Sequence, residues 1–239
     1  MDFTESIRRE WRFVRSLEQQ EFLSTVLASS LNRREKIAEG TFLWRAQGGH
    51  EWLSHDGEDN MCPFPPERMK PLTYQAAEGP ANPKGMPYLY TATDQDTAIA
   101  EVRPWVGALI SVAQLRVTRP LTVVNCITDN RKLILRTTEP EAPERERAVW
   151  QDIDDAFSRP VTPHEHVADY VPTQVLGEFF RSQALDGIGY RSSVGKGSNI
   201  VFFDLNAAEV VACGLSQVSS VKFTSIEASN PYFIRKHDP

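Results

Sequence analysis

Cysteine is scarce in this chain of 239 residues: Cys62, Cys126 and Cys213 are odd in number and widely spaced. That arrangement excludes a disulfide framework and the paired spacing of a structural zinc site. Cys126 and Cys213 sit in apolar, strand-like runs and read as core residues rather than nucleophiles. Long apolar runs are missing too, so no segment is expected to span a bilayer, and the opening MDFTESIRREW is too charged for a signal peptide. Positive charge is also in deficit. Lysine and arginine number 26 against 32 aspartates and glutamates, a formal charge of −6, so the bulk field attracts neither nucleic acid nor an anionic membrane. These absences lead to the expectation of a reduced, cytoplasmic protein with no membrane and no nucleic-acid partner. At 41% hydrophobic and 24% charged, there is material for one substantial core.

Standard nucleotide and metal motifs are missing as well. In the segment 186–204, DGIGYRSSVGKGSNIVFFD, Gly195-Lys196 is followed by Gly197 rather than Ser or Thr, and Gly189 lies one position too far upstream for a phosphate loop. Ser192 stands where a dinucleotide fingerprint requires its last glycine, so any dinucleotide binds without a Rossmann fold. His164 and His166 are two residues apart and do not face each other on a helix. The HDGED of residues 55–59 lacks the spacing of a calcium loop. Both read as solvated loop, and no metal is expected. No His–Asp pattern accompanies Ser192 or Ser193, which argues against a serine-nucleophile triad.

What the chain does contain is organised in three parts. Residues 1–40 form an N-terminal extension, helical from about 5 to 38, with Ile7, Trp11 and Val14 at helical spacing and then Phe22, Leu23, Val26 and Leu27. It reads as two helices or one bent helix that docks on the core, with a homodimer or partner surface as the alternative. Residues 41–226 form the main domain, and 227–239 a polar tail. Within the domain, 48–83 is proline-rich and reads as a long ordered loop over the site. Strands are expected near 86–91, 109–117, 121–127, 187–191, 199–204, 210–213 and 221–224. A charged surface helix is expected after Pro143, and another helix near 173–184. Strands outnumber helices without strict alternation, which favours an α+β fold.

Two polar residues stand out in apolar surroundings. Arg45 lies in the run TFLWRAQ (residues 41–47) and needs a partner, because a buried guanidinium left unpaired is costly. It is either half of an internal salt bridge or a planar grip on phosphate or carboxylate. Glu101 follows the run GPANPKGMPYLYTATDQDTAIA, read as loop, strand and an Asp94-capped helix stopped by Pro104. Ala98 and Trp105 are expected on its side of the helix. A carboxylate there is either solvated or held in a cleft for chemistry.

Together, the string NPKGMPYLYTATD…AEVRP, the TFLWRAQ run and the GIGYRSS…SNIVFFD segment resemble the RES-domain family, named for an arginine, a glutamate and a serine. The similarity extends from about residue 41 to about 224. The resemblance implies a fold similar to that of ADP-ribosyltransferases, with mixed or antiparallel sheets around a cleft. Many family members are toxins of toxin–antitoxin pairs that destroy NAD. Carried onto this chain, Arg45, Glu101 and Ser192 (or its neighbour Ser193) are the site residues, with Tyr90, Asn82, Asn199, Arg68 and Lys84 as further ligand contacts. NAD would be substrate rather than resident cofactor, with water or inorganic phosphate as acceptor and an antitoxin protein as partner. An ADP-ribosyltransferase acting on a macromolecule, or a catalytically weak interaction module, are the alternatives. One departure is notable: similar family loops carry arginine directly after the glycine equivalent to Gly79, whereas this chain has Pro80, which removes a charge and a donor.

Overall fold

The computed structural model describes residues 3–55, 57–73, 75–128, 141–159 and 167–225. Helix α1 (Phe3–Arg9) and α2 (Leu17–Ser30) come first, α2 starting from a capping box in which Ser16 and Gln19 satisfy each other's backbone N–H groups. The expected helix to residue 38 does not persist. Arg34–Ile37 is strand β1, drawn out of helix by its antiparallel ladder to residues 121–124.

The remaining strands are β2 (Phe42–Gly48), β3 (Glu51–His55), β4 (Glu58–Cys62), β5 (Leu89–Ala92), β6 (Leu109–Val117), β7 (Leu121–Asn125), β8 (Gly187–Arg191), β9 (Ser198–Phe202) and β10 (Ala208–Gln217). Helix α3 is Gln95–Glu101, α4 Ala142–Ser158 and α5 Val171–Ser182. One eight-stranded sheet runs β1-β7-β8-β9-β5-β2-β6-β10, and only β7 and β8 pair in parallel. The chain between those two strands holds α4 and α5, the crossover that a parallel pair requires. The fold is α+β.

Strand periodicity splits the core between the two faces of this sheet. On one face Tyr88, Tyr90, Ile188 and Tyr190 meet Val26 of α2, Trp150 and Phe157 of α4, and Phe180 of α5. On the other, Leu43, Leu89, Leu115 and Phe202 meet Phe64 and Met69. Helix α4 therefore is not the surface helix its charges suggest. Trp150, Ile153, Asp154 and Phe157 form one buried face, because the period-3.6 apolar stripe is the part that packs. The buried Asp154 accepts from the Thr128 N–H and hydroxyl and from Ser158, which satisfies it.

Three further expectations need correcting. The first half of the 48–83 loop is the β3–β4 hairpin, a separate two-stranded sheet. Residues 221–225 are not strand. Trp105 does not share the Glu101 side of α3: the helix ends at Glu101, Arg103 turns to φ 49°, and Trp105 is 75% exposed. The histidines 164 and 166 and the tail 227–239 lie outside the described residues. Burial pushes the Cys126 thiol well above its ordinary range, which makes it a core residue and a poor nucleophile. Among the described residues no helix is long and apolar enough to cross a membrane.

Helix α2 packs on Trp150 of α4. Trp150 is fully buried and donates its indole N–H to Ser29 of α2 at 3.0 Å. Deleting residues 1–30 should therefore give insoluble protein or a much lower melting temperature, because it uncovers Trp150 and strips Val26 and Leu23 from the core. A soluble, fully active truncation with unchanged melting temperature would make the segment dispensable.

Candidate active site

The site is built on α3, on β2 and on the facing ends of β8 and β9. Asp94 caps α3 by accepting from the Thr97 N–H at 2.8 Å, which fixes where the helix starts and hence where Glu101, its last residue, arrives. Two side chains then hold that carboxylate. Ser192 donates from Oγ at 2.7 Å and Asn199 from Nδ2 at 2.6 Å, both to Oε1 of Glu101. Among the described residues Oε2 accepts no hydrogen bond. One oxygen is therefore anchored and the other free, and charge-assisted bonds of this kind fix orientation as well as energy.

Ser192 and Asn199 come from the ends of β8 and β9, which pair in register, Tyr190 against Asn199 and Arg191 against Ser198. The loop between them is tied to α3 rather than open to a ligand. Ser192 Oγ accepts from the Val194 and Gly195 N–H groups, the Gly197 N–H donates to Thr97 Oγ1, and the Ser198 N–H donates to Thr93 Oγ1. A Cβ at Gly195 would lie 2.6 Å from Thr97 Oγ1, and one at Gly197 2.6 Å from Thr93 Oγ1, so glycine is required by contact. The glycines serve close docking, and the N–H groups of Val194, Gly195, Gly197 and Ser198 are committed to side chains of the protein.

Arg45 projects from β2, its Nη1 donating to the Tyr90 carbonyl at 2.9 Å while its buried Nε has no partner. Among the described residues it forms no ion pair, so the internal salt bridge is not its role. Burial lowers its pKa from the ordinary value, as expected for a cation held away from water without a counter-charge. A guanidinium in that state has unspent capacity for an anion.

Arg45 and Tyr90 line two adjoining cavities. The first, of about 270 Å³, also has Trp44, Thr91, Glu101, Tyr190 and Asn199 in its wall. The second, of about 240 Å³, is walled by Gly79, Pro80, Asn82 and Tyr88. Either alone is smaller than the usual ~300–1,000 Å³ of a small-molecule site, and the shared arginine joins them into one cleft.

The sequence-derived residues separate accordingly. Glu101, Arg45, Tyr90, Asn199 and Ser192 converge. Asn199 holds the glutamate and also lines the first cavity. Tyr90 donates its hydroxyl to Asn82 Oδ1 at 2.7 Å and accepts from the Ala81 N–H, leaving its ring, not its oxygen, for a ligand. Burial pushes that hydroxyl far above the usual tyrosine range, so it stays protonated. Asn82 is buried and donates to the Ala77, Pro83 and Met86 carbonyls, which makes it the staple of its loop. Ser193 is exposed on an outer groove away from Glu101, so Ser192 is the serine of the cleft. Arg68 stacks 3.6 Å over the Phe64 ring and pairs with Glu51, and Lys84 is exposed. Neither lines either cavity, so neither fills the place of the arginine that Pro80 replaces.

Three residues escaped the sequence reading. Tyr190 is buried against the site, its hydroxyl raised by burial and then by neighbouring tyrosine and Glu101 charge. Its i, i+2 spacing from Ser192 along an extended chain was the available signal. Trp44, beside Arg45, also lines the first cavity. Gln174 donates to the Gly79 and Asn82 carbonyls from the middle of α5, and nothing in an apolar helix pattern announces that contact.

The family model described as RES domain matches residues 42–224. Among solved structures, a chain of the M. tuberculosis MbcT–MbcA toxin–antitoxin complex aligns with TM-score 0.43 and 13% identity, over 80% of this chain and 92% of that one. No curated protein matches the chain.

Proposed function

The chain belongs to the RES-domain family, and on that premise we propose that it cleaves the bond between nicotinamide and ribose in NAD, passing the ribosyl carbon to water or inorganic phosphate. The observation that carries the reading is the half-anchored carboxylate, with Glu101 Oε1 held by Ser192 and Asn199 and Oε2 free at the wall of a cleft that also holds an unpaired arginine.

The chemistry asks little else of a protein. Nicotinamide in NAD is already a pyridinium cation. When the glycosidic bond breaks, its electron pair returns to the ring nitrogen and the leaving group departs neutral, with no general acid required. Positive charge develops instead on the ribose, as in glycoside hydrolysis. A fixed carboxylate beside that ring stabilises the charge without reorganising, and its free oxygen can also accept from a ribose hydroxyl. Arg45, placed between the two cavities, would hold a phosphate of the substrate or the attacking phosphate, and the Tyr90 ring would pack on a flat base. The acceptor oxygen bonds to the vacated carbon, and with water the surplus proton leaves to solvent.

An enzyme that consumes NAD is harmful to the cell that makes it, so a neutralising antitoxin belongs to the same reading. Incubating the purified protein with NAD, with and without inorganic phosphate, and identifying the products tests the proposal. Free nicotinamide with ADP-ribose marks hydrolysis, and a phosphorylated ADP-ribose marks phosphorolysis. No release of nicotinamide under either condition would overturn it.

Pro80 offers a separate check. It faces the second cavity beside Arg45, so Pro80→Arg adds a charge-assisted contact worth about 1.5–3 kcal/mol for a phosphate-bearing substrate. The expected result is a KM for NAD lower by roughly tenfold or more. An unchanged KM in a folded variant would show that the cleft meets its anion through Arg45 alone.

A further inference from the structure

The second cavity of the cleft holds a carboxylate that takes no part in the chemistry proposed above. Glu78 lies half-buried in its wall and shares that wall with Arg45. Among the described residues these are the two charged side chains of the cavity, and they form no ion pair with each other. The carboxylate is held instead by the buried Gln174 of α5, whose Nε2 donates to Glu78 Oε1 at 2.9 Å. The same amide group donates to the Gly79 and Asn82 carbonyls, at 3.2 and 3.1 Å, so helix, loop and carboxylate are tied at one point. Glu78 Oε2 accepts no hydrogen bond among the described residues.

The loop that carries Glu78 is fixed as well. The Gly79 N–H donates to the Asn82 carbonyl at 3.0 Å, and the Asn82 N–H returns a bond to the Gly79 carbonyl at 3.4 Å. A Cβ at Gly79 would lie 2.6 Å from the Tyr90 hydroxyl, so this turn is pressed against the side chain that separates the two cavities. Glu78 is therefore preorganised much as Glu101 is, with one oxygen anchored by the protein and the other left over. Around it the wall is apolar, formed by Pro71, Ala76, Ala77 and Pro80. Apolar walls with a few fixed polar groups are the usual make-up of a small-molecule site.

A dinucleotide is two nucleosides joined by a diphosphate, and the cleft is two cavities joined by an arginine. Resting on the NAD reading, which sets the reacting ribose beside Glu101 and a phosphate on Arg45, we propose that the second cavity takes the adenosine half and that Glu78 accepts from the vicinal hydroxyls of its ribose. The substrate class selected is then a dinucleotide whose second ribose is unmodified. Carboxylates serve this purpose at other dinucleotide sites, whereas a 2′-phosphate calls for an arginine. The 2′-phosphate of NADP carries a charge of roughly −1.5 to −2. It would meet Glu78 in a wall whose one cation, Arg45, is committed to the diphosphate. Glu78 thereby determines specificity and is not a catalytic residue, since it lines the cavity that Glu101 does not.

Calorimetric titration of the full chain with ADP-ribose and with its 2′-phosphorylated form reads the second cavity without any bond being broken, because neither titrant carries nicotinamide. ADP-ribose should bind at least about 100-fold more tightly, the scale of a like-charge contact combined with a lost hydrogen bond. The kcat/KM for nicotinamide release should favour NAD over NADP by a similar factor. Glu78→Gln keeps an oxygen for Gln174 and removes the charge. It should narrow the preference by about tenfold or more, through KM for NADP, with kcat for NAD and the melting temperature unchanged. Glu78→Lys should turn the preference towards the 2′-phosphorylated ligand. If Glu78 only anchors Gln174, both variants melt earlier and the ratio stays where it was, which overturns the proposal. So does equal binding of the two titrants by the wild type, or binding of neither. Discrimination between the titrants with no release of nicotinamide supports the second cavity as assigned and overturns the cleavage reading alone, and release without discrimination does the reverse.

Discussion

Glu101→Gln is expected to lower the rate of nicotinamide release by about 100–1000-fold, the usual cost of losing a preorganised charge at a developing cation. The substitution is close to isosteric. The amide oxygen can still accept from Ser192 and Asn199, whose donors sit 2.7 and 2.6 Å from Oε1, so α3 and the loop packed on it should keep their places and the melting temperature should barely move. The amide nitrogen then occupies the free position, turning an acceptor with negative charge into a neutral donor beside the ribose. KM should change little, because the charge matters chiefly once the bond has begun to break. Rate and melting temperature measured on one preparation separate the effects, and near wild-type turnover would remove Glu101 from the chemistry.

The second large effect is expected at Arg45, with a different signature. Arg45→Ala should raise KM for NAD by about 10–100-fold or more, as expected for losing a charge-assisted bidentate contact, with a smaller change in the rate at saturation. Removing a half-buried cation that has no counter-charge also relieves part of a desolvation cost, so stability should fall only by what its aliphatic stem contributes to packing. Arg45→Lys should recover part of the affinity, because a point charge cannot reproduce the planar fork whose Nη1 is already committed to the Tyr90 carbonyl. Normal KM in both variants with an earlier melt would reduce Arg45 to a structural residue.

The difference between what was legible in the sequence and what was not follows from the range over which each signal acts. Strand β6 was found at its full extent because its β-branched residues carry the period-2 pattern within the segment itself. The Asp94 cap and the α3 start were legible because capping is local chemistry. The family motifs brought Arg45, Glu101 and Ser192 into one frame. Strand β1 was not legible: the residues REKI have no apolar alternation, and their extended form is imposed by a ladder to β7 almost ninety positions away. The hydrogen-bond partners of Asn199 and Asn82 were not legible for the same reason. An asparagine's spacing does not say whether its amide meets a ligand, a carboxylate or three carbonyls of its own loop. The hairpin was hidden by the prolines that follow it, which coloured the reading of the whole stretch.

The strap from Ser192 to Ser198 grips α3 at both ends, through Thr93 and Thr97 at its start and through Glu101 at its finish. Local opening of either element therefore breaks the bonds of the other, and the two should behave as one cooperative unit in thermal fluctuation. The Glu101 carboxylate then has no private hinge. A random substitution in the turn is felt at the glutamate about as directly as one in the helix that carries it, and the mutational tolerance normally granted to a surface loop is withdrawn from this one.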